Sequence, residues 1–159
     1  MSRFRAAVAV YGMLRQGGSV LLLRRKGSGY RDGQLSLPAG HLEGDEDAIS
    51  GLIRELREEL GVEVVPEACE LALVMHRRRE TAADDEYVDL FFEVGAWAGE
   101  PRVGEPHRCS ELVWADPGEL PADVVDYIAM ALKGGRGLIT HGWGDEGLGK
   151  VRGGEGQTL

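Results

Sequence analysis

The chain has 159 residues and a mass of 17.2 kDa, which is the size of one domain with a substantial hydrophobic core. Its 18 basic and 27 acidic residues give a net charge of −9, which argues against binding to polymeric nucleic acid because such proteins usually carry net positive charge. The two cysteines are too few for a disulfide-stabilised scaffold and favour a reducing compartment, so we expect a cytoplasmic protein. The longest run of low polarity, residues 6–14, is too short to span a bilayer, so we expect no membrane association.

The first third of the chain predicts a hairpin, a short strand and a long helix. Apolar runs at residues 4–14 and 19–23 flank a Gln-Gly-Gly turn and predict two paired strands. Residues 35–37 alternate briefly before a proline, which is typical of a short strand. Residues 45–60 carry apolar side chains at helical spacing, and Asp45 is the expected N-cap.

The remainder of the chain predicts more strands, a second helix and a tail. Strands are expected at residues 71–75, 87–94 and 112–114. An apolar stripe over residues 124–132 predicts the second helix, with Asp123 as its cap. We therefore expect one domain over residues 1–134, and a glycine-rich tail over residues 135–159 that is flexible or peripherally docked. Helices that alternate with strand groups indicate an α/β fold in which helices pack on a mixed sheet.

Three glutamates on the first helix indicate a metal site. Glu55, Glu58 and Glu59 stand at i, i+3 and i+4, so they share one helical face beside the apolar stripe. Three like charges at this spacing repel one another, and closely spaced carboxylate oxygens are the ligands that Mg²⁺ or Mn²⁺ prefers. Gly51 lies on the same face, and we expect its missing side chain to leave room for a metal or a phosphate. A solvated acidic stripe, neutralised by Arg54 and Arg57, is the alternative interpretation of the glutamates alone.

The residues before and around these glutamates resemble the signature motif of the Nudix hydrolases, G-x5-E-x7-R-E-U-x-E-E-x-G-U, where U is a bulky aliphatic residue. Each fixed position of the motif is filled, over 23 residues, which makes a chance match very improbable. The matching residues are Gly40, Glu46, Arg54, Glu55, Leu56, Glu58, Glu59, Gly61 and Val62. The segment 110–121 is similar to the late strand and turn of MutT-type members. The resemblance covers residues 4–133, and it implies the Nudix fold, in which a mixed sheet lies between helices in three layers (α/β/α).

The resemblance also implies how the site works. Glu55, Glu58 and Glu59, together with the carbonyl of Gly40, would bind Mg²⁺, with Mn²⁺ as an alternative. Glu46 and Arg54 would orient the ligand glutamates. Bound metal would lower the pKa of a water and align it for attack on phosphorus, and a general base would take the remaining proton. Glu55 and Glu105 are both candidates for that base.

Four residues outside the glutamate set are candidate substrate contacts. Arg24 and Arg25 end a predicted strand near the cleft, where they could bind phosphate, and His41 follows the first motif glycine. Tyr87 is an aromatic residue that could stack on a base, although aromatic residues in strands more often belong to the core. We expect the loops at residues 27–34 and 81–86 to determine specificity.

The favoured function is hydrolysis of a nucleoside diphosphate-linked substrate, and a (d)NTP cleaved to the monophosphate and pyrophosphate is preferred. ADP-ribose or another nucleotide conjugate is the alternative substrate. A nucleotide-sensing module without catalysis is a further alternative, but such modules commonly lose motif glutamates. The expected partner is a small nucleotide, and a homodimer is possible because family members often form one.

Overall fold

The computed structural model describes residues 2–144 and 151–152. Nine strands, two α-helices and one short 3₁₀ turn (Pro66–Ala68) are present in this part of the chain. The first half holds β1 (Ala7–Gln16), β2 (Ser19–Arg25), β3 (Leu35–Ser36), β4 (Ala39–His41) and α1 (Ala48–Leu60). The second half holds β5 (Cys69–Arg77), β6 (Tyr87–Val94), β7 (Cys109–Ala115), α2 (Asp126–Lys133), β8 (Gly137–His141) and β9 (Val151–Arg152).

The strands form one mixed sheet. The main order is β3-β2-β1-β6-β5-β8-β9, and β4 pairs with β1 while β7 pairs with β2. The β1–β6 and β5–β8 pairs are parallel, and the other pairs are antiparallel. The strand β1 therefore joins the hairpin side of the molecule to the side that carries β5 and β6.

Alternate residues of β1 face two separate hydrophobic clusters, one on each side of the sheet. Val10 and Leu14 pack with the buried leucines of α1. Tyr11 and Met13 pack in the other cluster with the apolar face of α2. The sheet thus lies between two helices, and the α/β/α arrangement predicted from the sequence is confirmed.

Helix α1 begins later than expected. Its N-cap is Asp47, whose carboxylate accepts a hydrogen bond from the backbone N–H of Ser50 at 2.9 Å. The expected cap, Asp45, has a φ of 54° and lies in the turn before the helix, so that prediction is wrong. A left-handed residue cannot provide the extended backbone that an N-cap requires.

The prediction that Asp123 caps the second helix is also wrong. Helix α2 begins at Asp126, and the residue before it makes no side-chain capping bond. The carboxylate of Asp123 instead accepts a hydrogen bond from Nη1 of Arg24 at 2.6 Å. The carboxylate of Asp123 therefore binds the guanidinium of Arg24 on β2 instead of the backbone N–H groups at the start of α2.

Part of the expected tail belongs to the sheet. Strand β8 adds to β5 in parallel, and Ile139 on β8 has no exposed surface. Beyond β8, the indole of Trp143 donates a hydrogen bond to the carbonyl of His76 at 3.1 Å. The tail was expected to be flexible or peripherally docked, and its residues 137–141 pair with the sheet. The same expectation for residues 145–150 and 153–159 lies outside the described residues.

Neither helix of the described residues has the length and apolar character needed to cross a membrane.

Candidate active site

The strand β4 lies against the glutamate face of α1. The backbone N–H of Ala39 donates to the carboxylate of Glu59 at 3.1 Å. The carboxylate of Glu55 lies so close to Gly40 that a Cβ atom at that position would be 2.0 Å from Cδ of Glu55. Glycine is therefore required at residue 40 for this helix face to reach the strand. Glu58 shares the face but is exposed.

Arg54 is the centre of the hydrogen-bond network around these glutamates. Its Nη2 and Nε atoms donate to the two carboxylate oxygens of Glu46 at 2.7 and 3.1 Å. Its Nη1 atom donates to Oε1 of Glu55 at 2.7 Å and lies 3.6 Å from Oε2 of Glu58. Arg54 therefore links Glu46 to Glu55 and holds the side chain of Glu55 in place.

The carboxylates have unequal electrostatic environments. Burial raises the pKa of Glu55, and burial raises the pKa of Glu59 well above its usual range, with the charge of Glu55 adding to the effect. The hydrogen bond from Arg54 instead lowers the pKa of Glu46. Arg54 thus interacts with both Glu46 and Glu55, whereas no arginine is hydrogen-bonded to Glu59 among the described residues.

Glu105 approaches the same cluster from a separate loop. The backbone N–H of Gly104 donates to the carbonyl of Glu59 at 2.8 Å, so the loop before β7 is attached to the end of α1. The negative charge of Glu105 contributes to the raised pKa values of both Glu55 and Glu59. The role of Glu105 as a candidate general base stays a prediction.

The donor set matches a hard divalent cation in chemistry. Glu55, Glu58 and Glu59 lie on one face of α1 with Gly40 beside Glu55, and carboxylate and carbonyl oxygens are the donors that a hard divalent cation prefers. Burial raises the pKa of Glu55 and of Glu59, and a bound cation would offset that effect. Within residues 2–144 and 151–152, no three His, Cys, Asp or Glu side chains already converge in a metal-binding arrangement. Arg54 holds the oxygen of Glu55 in the described arrangement.

Gly51 serves a different purpose from the one expected. A Cβ atom at this position would lie 2.5 Å from a methyl group of Leu42 and 3.1 Å from Oε1 of Glu46. The missing side chain makes room for these two residues rather than for a metal or phosphate. The expectation of an open space beside the carboxylates at residue 51 is therefore wrong.

A cleft of about 630 Å³ opens beside the carboxylates. Its carboxylate end is formed by Gly40, Glu55 and Glu59. Residues from both loops that were expected to determine specificity line the cleft, including Ser28 and Tyr30 from the first loop. The second loop contributes residues 83–85.

Three of the four predicted substrate contacts line this cleft. They are Arg25, His41 and Tyr87, and the rings of His41 and Tyr87 are 5.4 Å apart. Arg24 is not among the lining residues. Its guanidinium forms ion pairs with Glu111 and Asp123, each at 2.6 Å. Arg25 therefore lines the cleft while Arg24 is held away from it by these ion pairs, which does not agree with the predicted phosphate contact of Arg24.

Glu58 and Glu105 are also absent from the lining of the cleft. Their predicted roles rest on their nearness to the other carboxylates, as described above.

The far end of the cleft was missed by the sequence analysis. This aromatic end is formed by Arg77, Tyr87 and Tyr127, with Asp89 buried behind them. Arg77 forms a buried ion pair with Asp89, and its guanidinium carbon lies 4.5 Å and 3.9 Å from the ring centroids of Tyr87 and Tyr127. The sequence did contain a signal for this end, because Asp89 is a charged residue within the apolar run 87–94. A buried charge requires a partner, so Asp89 indicated that a basic residue lies beside it.

Comparison with known proteins places this architecture in a family. A model of the NUDIX domain matches residues 3–132, which is most of the chain. The chain belongs to the Nudix family. It is accordingly a pyrophosphohydrolase of nucleoside diphosphate-linked substrates.

The Nudix proteins that this chain resembles include one of similar structure and two whose names give different substrates. The crystal structure of a MutT NUDIX hydrolase from Burkholderia pseudomallei is 28% identical, with a TM-score of 0.74 over 82% of this chain and 98% of that one. An 8-oxo-dGTP diphosphatase from Escherichia coli is 26% identical over 76% of this chain and 90% of its own length. An ADP-ribose pyrophosphatase from Methanocaldococcus jannaschii is 26% identical over 76% of this chain and 68% of its own length.

The Nudix match and the structure differ at the C-terminal side. The matched region ends at residue 132, whereas strand β8 continues the sheet over Gly137–His141. The backbone N–H of Arg78, at the end of β5, donates to the carbonyl of His141 at 3.0 Å. Residues beyond the matched region therefore support the strand that carries Arg77.

Proposed function

We propose that the protein hydrolyses a ribo- or deoxyribonucleoside triphosphate to the monophosphate and pyrophosphate, with Mg²⁺ as the metal and Mn²⁺ as a substitute. The observation that carries the proposal is a single cleft with carboxylates at one end and an arginine with aromatic rings at the other. The strands β4 and β5 are separated by three strand spacings, through β1 and β6, which corresponds to about 14 Å. That span accommodates the phosphates at one end and the nucleoside at the other.

The carboxylate end is assigned to the phosphates. Glu55, Glu58, Glu59 and the Gly40 carbonyl would hold the metal, which would neutralise the pyrophosphate and lower the pKa of an attacking water. Arg54 and Glu46 keep the carboxylate of Glu55 fixed beside Gly40. Arg25 supplies a positive charge to this end of the cleft, since its charge acts on Glu59 and the residue lines the same wall.

Glu55 or Glu105 would accept the proton that the attacking water loses. Two observations favour Glu55: it lines the cleft, and burial raises its pKa, which makes it a better proton acceptor than an exposed carboxylate. Glu105 lies near enough to act on the same cluster but does not line the cleft.

The aromatic end is assigned to the nucleoside. The ring of Tyr87 belongs to this end and lies beside the ring of His41, and Tyr30 lines the cleft from the loop after β2. Aromatic rings bind a flat base by stacking, which is the role proposed for Tyr87.

Hydrolysis of ADP-ribose or another nucleotide conjugate is the second candidate. The similarity to an ADP-ribose pyrophosphatase is the observation that favours it. The complete set of motif glutamates supports catalysis over a sensing role without turnover.

The test is the release of pyrophosphate and of monophosphate by the purified protein, with Mg²⁺, with Mn²⁺ and with a chelator. The panel contains common and oxidised nucleoside triphosphates, ADP-ribose, a sugar nucleotide and a dinucleoside polyphosphate. We expect metal-dependent release of pyrophosphate from a triphosphate. Turnover of the conjugates alone would contradict the proposal in favour of the second candidate, and ligand binding without any turnover would support the sensing module.

We also propose a cellular location and an oligomeric state for the enzyme. Both cysteines, Cys69 and Cys109, are free thiols, which is consistent with a reducing compartment and a cytoplasmic location. A homodimer is proposed by analogy with the family, and size-exclusion chromatography with light scattering would test it.

A further inference from the structure

The guanidinium of Arg77 is enclosed on every side but one. The rings of Tyr87 and Tyr127 cover it at 4.5 and 3.9 Å, and its Nε and Nη2 atoms both donate to the carboxylate of Asp89. Only 7% of the Arg77 side chain is exposed, yet the residue lines the cleft. The exposed edge of the guanidinium therefore faces the cleft.

The remaining nitrogen of this group, Nη1, is available to a ligand. Across residues 2–144, no protein acceptor is found for Nη1, and no buried side-chain nitrogen or oxygen lacks a hydrogen-bond partner. Nη1 is therefore open to the cleft rather than sealed in the core. A guanidinium has only donors, so what it meets there must be a hydrogen-bond acceptor.

Asp89 determines which kind of acceptor fits. Its carboxylate is fully buried and paired with Arg77, so the charge of the guanidinium is already neutralised within the protein. An anionic phosphate would gain less from this edge than from Arg25 or from metal at the carboxylate end. A neutral acceptor such as a carbonyl oxygen fits an edge of this kind.

We propose that Nη1 of Arg77 donates a hydrogen bond to a carbonyl oxygen of the nucleobase, so that the enzyme prefers nucleotides with a keto base. This inference rests on the assignment of the aromatic end to the nucleoside in the proposed function. A base with an amino group at the same position would place N–H donors against N–H donors. The unpaired donors would then lower the affinity by about tenfold, which corresponds to about 1.4 kcal/mol.

The test compares two pairs of monophosphates that differ by a keto or an amino group at one ring position. Calorimetric dissociation constants are measured for IMP against AMP and for UMP against CMP, with the full chain. We expect the keto member of each pair to bind about tenfold more tightly. Equal affinities, tighter binding of the amino members, or no saturable binding of the keto members would overturn the inference.

A double variant assigns the preference to Arg77. Replacement of Arg77 alone would leave Asp89 buried and unpaired, so Arg77→Met is combined with Asp89→Leu, because apolar replacement of a buried ion pair is often tolerated. We expect the keto preference to fall to about one in this variant, and an unchanged preference would overturn the assignment. Arg15→Met is the matched control, since Arg15 pairs with Glu93 between neighbouring strands at 2.8 Å but on the surface.

These measurements separate the inference from the proposed function. The monophosphates bind without turnover, so their dissociation constants do not depend on which bond the enzyme hydrolyses. A protein that cleaves triphosphates without a keto preference contradicts only the inference. A protein that prefers keto nucleotides but cleaves no triphosphate contradicts only the proposed reaction.

Discussion

The two ends of the cleft are built in opposite ways. The carboxylate end comes from one short stretch of chain, because β4 and α1 are adjacent in sequence and in space. The aromatic end joins the consecutive strands β5 and β6 to Tyr127 at the start of α2, which is distant from them in the sequence. The first end therefore carries a local sequence signature, whereas the second exists only after the sheet has formed.

The difference extends to the chemistry of the charged groups. At the carboxylate end, one arginine serves several glutamates, and an excess of negative charge remains. At the aromatic end, Arg77 and Asp89 neutralise each other within the protein. We infer that the first end is suited to a cation with phosphates, and the second to a neutral part of the substrate.

The largest expected effect is the loss of a glutamate from the carboxylate end. Glu58→Gln removes one proposed metal ligand from an exposed position and leaves the core intact, so we expect turnover to fall more than the roughly hundredfold typical of a residue that only orients a ligand. The fall in turnover is measured as the rate of metal-dependent pyrophosphate release. Glu63→Gln, which removes an exposed partner of Arg57, should retain activity, and near-normal turnover of Glu58→Gln would contradict the assigned ligand set.

The close approach of β4 to α1 predicts a similarly large effect at a glycine. In Gly40→Ala the new methyl group would overlap the carboxylate of Glu55, so that side chain must move. A displacement of about 1 Å at a reacting centre can cost on the order of a hundredfold in kcat. Gly95→Ala is the control, because its nearest neighbour would be 3.8 Å away, and equal activity of the two variants would count against the geometry.

Replacement of the orienting arginine should have a smaller effect. Arg54→Lys keeps the charge but cannot maintain the paired hydrogen bonds to Glu46 together with the bond to Glu55. We expect activity to fall by about 10- to 100-fold with the fold retained. Arg57→Lys, on the exposed side of the same helix, should have almost no effect, and steady-state kinetics with circular dichroism would check both variants.

The C-terminal strand should affect stability more than chemistry. Ile139→Ala removes a fully buried side chain, so the free energy of unfolding should fall by about 2–5 kcal/mol, as measured by urea denaturation. Leu138→Ala is the neighbouring control, since Leu138 is 47% exposed. Deletion of residues 136–159 removes β8 and should lower the free energy of unfolding. If β8 contributed nothing to the sheet, the free energy of unfolding would be unchanged.

The carboxylate end was visible in the sequence through the resemblance to the Nudix motif, because that motif is local. It runs from Gly40 to Val62 over one strand, one turn and one helix, and the structure places Glu55 beside Gly40. The apolar runs of the strands and the apolar stripes of the helices predicted helices packed on a mixed sheet, and the resemblance to the Nudix family implied the three-layer α/β/α arrangement.

The remaining features depend on contacts between distant segments. The orientation of Arg24 follows from partners on β7 and before α2, which no local pattern reveals. The glycine-rich segment after Gly134 lacks a hydrophobic period, yet it gains a buried isoleucine by pairing with β5. Local propensity was a poor guide there because tertiary contacts determine the structure.

The most direct test of the account is a comparison of kcat and KM for two variants on one triphosphate with a keto base. We predict that Glu58→Gln lowers kcat with little change in KM, because the carboxylate end stabilises the reacting phosphates. We predict that Arg77→Met combined with Asp89→Leu raises KM with little change in kcat, because the aromatic end binds the nucleoside. Equal changes of the same parameter in both variants would contradict the division of the cleft into two ends.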